Sequence, residues 1–177
     1  LKTRSVILHV LTKKGKGYSF CEDNPEATHG IGVKSARPSV EYSQVFGDTL
    51  CELAKKNDKI VAVTAAMTGS LGLNGFFEKF PERAIDVGIC EEHAAILCAS
   101  MATEGFRPYY AIYSTFLQRS FDEIIIDICS QNLPVTLCID RAGISGADGE
   151  THQGVFDLSF LSLIPGLTIA VPKDADE

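Results

Sequence analysis

The sequence predicts an α/β fold, a parallel sheet with helices on both faces. Short, β-branched, continuously apolar runs such as "IVAVTAA" at 60–66 recur along the chain, as strands buried on both faces do. Stretches of helical period lie between them, and this alternation is the order a parallel sheet requires. A length of 177 residues, 45% of them hydrophobic and 22% charged, is enough for one domain with a real core.

The elements follow in chain order. Residues 5–11, within "SVILHVLT", read as a strand. Residues 12–38 carry Gly, Pro, Asn and Asp without a sustained period and read as a long linker. Ser39 is placed to cap a helix running to about Asn57, with Val45, Phe46, Leu50 and Leu53 on its inner face. Residues 60–66 form a strand, and a Gly-rich loop at 69–75 leads into a short helix near 75–80. "AIDVGI" is the next strand, followed by a helix over 91–104 that Gly105 stops. "PYYAIYS" is a strand, and residues 116–131 form a helix facing inward with Leu117, Phe121, Ile124, Ile125 and Ile128. "PVTLCID" and, at 167–172, "LTIAVP" complete the strands. The chain shows no internal repeat and no low-complexity tract.

Charge and cysteine usage narrow the function classes. Residues 1–37 carry seven Lys/Arg against three acids (+4), and residues 38–177 carry nine against twenty (−11), which together give the net −7. An acidic body of this kind argues against nucleic acid as a partner. The basic run "TKKGKGY" reads as a solvated loop more readily than as a phosphate site. No apolar stretch approaches membrane-spanning length, and no signal peptide is visible. The six cysteines show no C-x-x-C spacing. Cys90, Cys98, Cys129 and Cys138 lie in apolar runs and read as small core residues in a reducing compartment, with no metal site. Leu1 opens inside an apolar run, so the stretch is expected to continue a longer chain.

In open parallel sheets, ligands sit outside the carboxyl ends of the strands. Three polar stretches fall there: "CEEH" at 90–93, "YSTFLQR" at 113–119, and the loop "DRAGISGADGETHQG" at 140–154. Glu91 and Glu92 at a helix start are suited to the positive end of the dipole. The buried character of the preceding strand also places Glu91 at the mouth of a crevice. Phe116, at the neighbouring strand end, offers a face on which a flat ring can stack. Arg141 suits either a local ion pair with Asp140 or a phosphate, and His152 either a loop-ordering hydrogen bond or proton transfer.

The pattern strand–Glu91–x–His93–Ala94 and an apolar helix resembles the pyrimidine-binding domain of the transketolase group of thiamine diphosphate enzymes. "AIYSTFLQRSFDEII", "NLPVTLCIDRAGISGADGETHQGVFDLSFL" and "IPGLTIAVPKD" narrow the resemblance to the 1-deoxy-D-xylulose-5-phosphate synthase family, as does "HVLTKKGKGY" followed by "HGIG". That family condenses pyruvate with glyceraldehyde 3-phosphate, releases carbon dioxide, and is a transferase of the transketolase type that serves isoprenoid, thiamine and pyridoxal biosynthesis.

The resemblance implies that Glu91 is the catalytic acid on the N1′ nitrogen of the cofactor's aminopyrimidine, and that Phe116 lies against the pyrimidine face. A carboxyl at N1′ favours the imino tautomer, which requires it to share a proton, and an apolar pocket supports that. The resemblance places Tyr113, Arg141, Asp148 and His152 near the substrates, with Arg141 on phosphate and His152 carrying a proton. Arg119 and His29 join them on the substrate side.

The same resemblance makes residues 1–11 the last strand of an N-terminal domain that holds the diphosphate and Mg²⁺, residues 12–38 a linker, and 39–177 the pyrimidine-binding domain. It implies a homodimer in the cytoplasm, a further C-terminal domain, no metal ligand within this stretch, and a stretch inactive by itself. Two positions depart from the family pattern: Glu92 stands where Gln is usual, and Ile126 where His is frequent. The alternatives are a pyrimidine-binding subunit of another transketolase-like enzyme, the halves of a split enzyme included, and a non-catalytic assembly module.

Overall fold

The computed structural model describes residues 4–25, 28–29, 41–145 and 148–177. It divides into two compact units, Leu1–Ala36 and Arg37–Glu177.

In the first unit, α1 (Ser19–Asp23) is the one helix among the described residues. Glu22 in its first turn receives Lys13 Nζ at 2.6 Å and the Gly17 amide at 3.0 Å. The strand expected over 5–11 is not formed, and the linker expected over 12–38 contains a turn and α1. A strand needs a ladder partner for its backbone groups. Here the apolar residues stand in solvent, Ile7 at 97% exposure. Ser39, the expected helix cap, lies outside the described residues.

The second unit is built on a four-stranded, wholly parallel sheet: β1 (Ile60–Thr64), β2 (Ala84–Asp86), β3 (Arg107–Tyr113) and β4 (Thr136–Asp140), in the order β2-β1-β3-β4. The register sets Thr64 beside Asp86 and Ala111, and Tyr113 beside Asp140, so the strands end at one edge. Every residue of β1 is buried, which accounts for its unbroken apolar run.

Helix α2 (Tyr42–Lys56) faces inward with Ser43, Gly47, Leu50, Cys51 and Ala54, a stripe of mostly small residues. Leu53, expected inside, is 40% exposed. At Gly47 only glycine fits, because a Cβ there would lie 2.0 Å from the Gly72 carbonyl oxygen. Helix α3 (Asn74–Lys79) buries Phe76. Helix α4 (Glu91–Thr103) likewise presents Ala94, Ala95, Cys98, Ala99 and Ala102 to the core. Cys98 is therefore a core residue, Cys129 and Cys138 are half-buried, and Cys90, expected to be buried, is exposed.

The helix expected over 116–131 begins two residues earlier and changes pitch along its length. It runs as α5 (Ser114–Leu117), a 3₁₀ turn (Gln118–Ser120), α6 (Phe121–Glu123) and a π-helical stretch (Ile124–Cys129). Leu117, Ile124 and Ile128 are buried as the period requires. Helix α7 (Asp157–Leu161) follows the loop after β4.

"LTIAVP" at 167–172 forms no strand. Its Leu167 and Ile169 instead line a cavity of about 560 Å³ with Leu137 and Ile139 of β4 and Phe46 of α2. Apolar alternation serves a cavity wall as well as a ladder, and composition cannot separate the two. Among the described residues no helix is long and apolar enough to cross a membrane.

Candidate active site

The site is assembled where the strands end. At the edge of β2, Asp86 Oδ1 accepts the amides of Ala66 (2.8 Å) and Gly88 (2.9 Å), and its Oδ2 accepts the Thr68 hydroxyl at 2.9 Å. One carboxylate thus ties the segment after β1 to the segment that leads into α4. Gly88 takes φ +72, a turn few other residues make at low cost. Helix α4 then starts at Glu91, whose side chain is buried, while Glu92 and His93 are exposed.

Glu91 is held at two points. Its carbonyl oxygen accepts the Tyr110 hydroxyl at 3.0 Å, in the interior. Burial pushes the Tyr110 phenol well up, so it stays a donor. The Glu91 carboxylate Oε1 accepts Arg119 Nη1 at 2.6 Å. The apolar pocket expected around this acid is therefore corrected: a guanidinium meets it. Arg119, expected on the substrate side, is thus the partner of the cofactor acid in this structure.

Beyond Arg119 an aromatic wall begins. The Arg119 guanidinium carbon lies 5.5 Å from the Phe116 ring centroid. Phe116 is near-parallel to Tyr113 (6.0 Å, 13°) and meets the His152 ring edge-on at 5.3 Å. Tyr113 in turn has the Arg141 guanidinium 5.1 Å from its centroid. Arg141 Nε lies 2.6 Å from Asp148 Oδ2, and its Nη1 is 3.6 Å from Asp140. Arg141 is a non-glycine residue at φ +55, directly after β4, the kind of strained backbone that clusters at functional sites.

The loop after β4 is latched to this wall. Gly143 and Gly154 exchange backbone hydrogen bonds of 2.7 and 2.8 Å. A Cβ on Gly154 would lie 2.2 Å from the Arg141 carbonyl oxygen and 2.6 Å from Ser114 Oγ, so only glycine fits. The Gln153 amide bonds Ser145 and Gly149, and the Ser145 hydroxyl donates to Asp148 at 3.0 Å. Thr115 Oγ1 donates to the Thr151 carbonyl at 3.1 Å, seating His152 beside α5.

The fold thus brings Glu91, Arg119, Phe116, Tyr113, His152, Arg141 and Asp148 into one chain of contacts. His29 belongs to the first unit, where its Nδ1 meets Lys14 Nζ. Asp86, Tyr110, Gln153 and Gly154 position the others and were not foreseen. The acid inside "AIDVGI" was the available signal for Asp86. Among the described residues no three His, Cys, Asp or Glu side chains stand as a metal-binding group.

A buried carboxylate beside a stacking face suits a flat heterocycle with a ring nitrogen that can carry a proton. The family profile described as "Transketolase, pyrimidine binding domain" matches residues 38–177. The chain belongs to the transketolase pyrimidine-binding domain family.

Relatives of this transketolase pyrimidine-binding domain point the same way. The chain is 55% identical to 1-deoxy-D-xylulose-5-phosphate synthase of Clostridium perfringens strain SM101 over 97% of its own length and 29% of that protein's. It is 52% identical to 1-deoxy-D-xylulose-5-phosphate synthase 1 of Geobacter sulfurreducens over 97% of its length and 28% of that protein's. It therefore spans less than a third of these relatives. Among solved structures, a split-gene transketolase described as an inactive β4 tetramer superposes with a TM-score of 0.65 at 32% identity, over 75% of this chain and 43% of that one. Transketolase of Campylobacter jejuni shares the fold, with a TM-score of 0.65 at 23% identity over 80% of this chain and 23% of that one.

Proposed function

We propose that this domain is the pyrimidine-binding part of a thiamine diphosphate-dependent synthase that condenses pyruvate with glyceraldehyde 3-phosphate to 1-deoxy-D-xylulose 5-phosphate and carbon dioxide. The observation that carries the proposal is the buried Glu91 carboxylate joined through Arg119 to the Phe116–Tyr113 wall at the sheet edge.

Glu91 holds the proton at N1′ of the aminopyrimidine, and Phe116 supplies the face on which that ring rests. Bound there, thiamine diphosphate supplies the electron sink for decarboxylating a 2-oxo acid and transferring its two-carbon remainder. Arg141, aimed by its left-handed backbone and by Asp148, binds the phosphate of the acceptor through its fork. His152, seated on Phe116 and Tyr113, moves protons to and from the substrates. Tyr113, Asp148 and Arg119 complete the substrate side. Mg²⁺ and the diphosphate are held by the rest of the enzyme, which works as a homodimer in the cytoplasm. A chain limited to this domain is inactive, because it lacks the part that holds the diphosphate and Mg²⁺.

The test is made on the full-length protein. Carboxyl-labelled pyruvate should release carbon dioxide in a reaction that glyceraldehyde 3-phosphate accelerates. Transfer from ketose phosphates without pyruvate decarboxylation would assign the domain to a transketolase instead.

A further inference from the structure

We infer that Arg119 is a built-in stand-in for the pyrimidine, which the cofactor must displace. The inference rests on Glu91 and Phe116 being the pyrimidine's partners. A bound aminopyrimidine ring needs a planar position over the Phe116 face and a hydrogen bond to the Glu91 carboxylate. The Arg119 guanidinium is itself planar, donates to Glu91 Oε1 at 2.6 Å, and lies 5.5 Å from the Phe116 centroid. It meets both determinants with the same two kinds of contact, a charge-assisted hydrogen bond and a cation–π approach. Ring and guanidinium therefore draw on the same carboxylate and the same ring face.

The asymmetry of the pair says which partner gives way. The Glu91 side chain is 4% exposed and begins a helix, whereas that of Arg119 is 49% exposed and stands on a short 3₁₀ turn. An exposed arginine changes rotamer freely. A buried acid cannot leave without carrying its charge into solvent through packed neighbours. The occupancy also answers a physical need, because a buried carboxylate without a partner is costly. Once displaced, the same cation remains at the sheet edge with its fork free for an anionic substrate group. Arg119 thus serves Glu91 before the ring arrives and the substrate after it, which orders binding as cofactor first and anion second.

Calorimetric titration of the full-length enzyme with thiamine diphosphate, and with the cofactor's free aminopyrimidine, tests this. Arg119→Ala should bind the free pyrimidine about three- to tenfold more tightly, the range expected for losing a half-exposed competitor, while its KM for the anionic substrates rises. In a Glu91→Gln background, where no acid needs a cation, Arg119→Ala should give no gain in affinity. Glu91→Ala and Phe116→Ala should both weaken pyrimidine binding. If those two weaken it while Arg119→Ala leaves it unchanged or weaker, the stand-in role is overturned and the cofactor site stands. If neither Glu91→Ala nor Phe116→Ala alters pyrimidine affinity, the cofactor assignment fails and the inference falls with it.

Discussion

Glu91 and Glu92 are adjacent at the start of α4, yet the first is buried against Arg119 and the second is exposed. A helix turns about 100° per residue, so one step carries the side chain out of the site. In the full-length enzyme, Glu91→Gln should lower turnover by about 10²–10⁴, the range for a lost acid–base group. Glu92→Gln should leave turnover within a factor of about two and cost at most about 1 kcal/mol through the helix dipole. Steady-state kinetics beside urea titrations separate the two. Equal, mild effects would reduce both acids to helix electrostatics.

Gly154→Ala should disturb the loop after β4, because the new methyl would meet the Arg141 carbonyl at 2.2 Å and Ser114 Oγ at 2.6 Å. Backbone must shift at both contacts, at a cost of about 1–3 kcal/mol. Since Arg141 is one of the two residues displaced, KM for the phosphorylated acceptor should rise more than kcat falls. An unchanged KM would detach the latch from the phosphate role of Arg141.

Asp86→Ala removes the acceptor shared by Ala66, Gly88 and Thr68. These bonds are exposed, so about 1–2 kcal/mol of stability should go rather than the full worth of three. The larger effect should fall on catalysis, since the segment that aims Glu91 loses its tie to β1. Asp86→Asn, which keeps one carbonyl acceptor, should recover part of the turnover. Urea midpoints and kcat measured on the same samples would show whether activity falls further than stability.

Alkali should weaken the domain through Cys98. Burial pushes its thiol up to about 12, whereas an unfolded thiol titrates near 8.5. A pKa raised on folding gives stability that is whole below the unfolded value and lost as pH climbs toward the folded one. Between pH 8 and 10 the loss should be about 2 kcal/mol. Cys98→Ala should lessen that slope in urea titrations run across the range, and the remainder should belong to Cys138, whose thiol burial also pushes up to about 12. A maleimide should label the exposed Cys90 quickly and leave Cys98 unlabelled until the chain unfolds.

Much of the sheet was legible because strands buried on both faces read as short apolar runs, β1 most plainly. Glu91 was legible for the opposite reason, as a charged residue where an apolar run should have continued. Helix faces were harder to read. Hydrophobicity favours Val45, Phe46 and Leu53 in α2, whereas close approach to Gly72 selects Gly47 and brings in Ser43. Residues 5–11 and 167–172 have strand composition but lack ladder partners among the described residues. The partner of Arg119 was illegible in principle: it lies 28 positions away, and only the fold brings the two together.

The hydrogen bond from Tyr110 to the first carbonyl of α4 has a kinetic consequence. It fastens β3, whose continuation carries Phe116, to the helix that carries Glu91, so the acid and the stacking face move as one body. The spacing between them is therefore set by the fold before a ring arrives. Once its bond to Glu91 opens, the half-exposed Arg119 swings aside in picoseconds to nanoseconds. Capture of the ring by this half of the pocket should then run at the pace of diffusion, with any slower phase arising elsewhere in the enzyme.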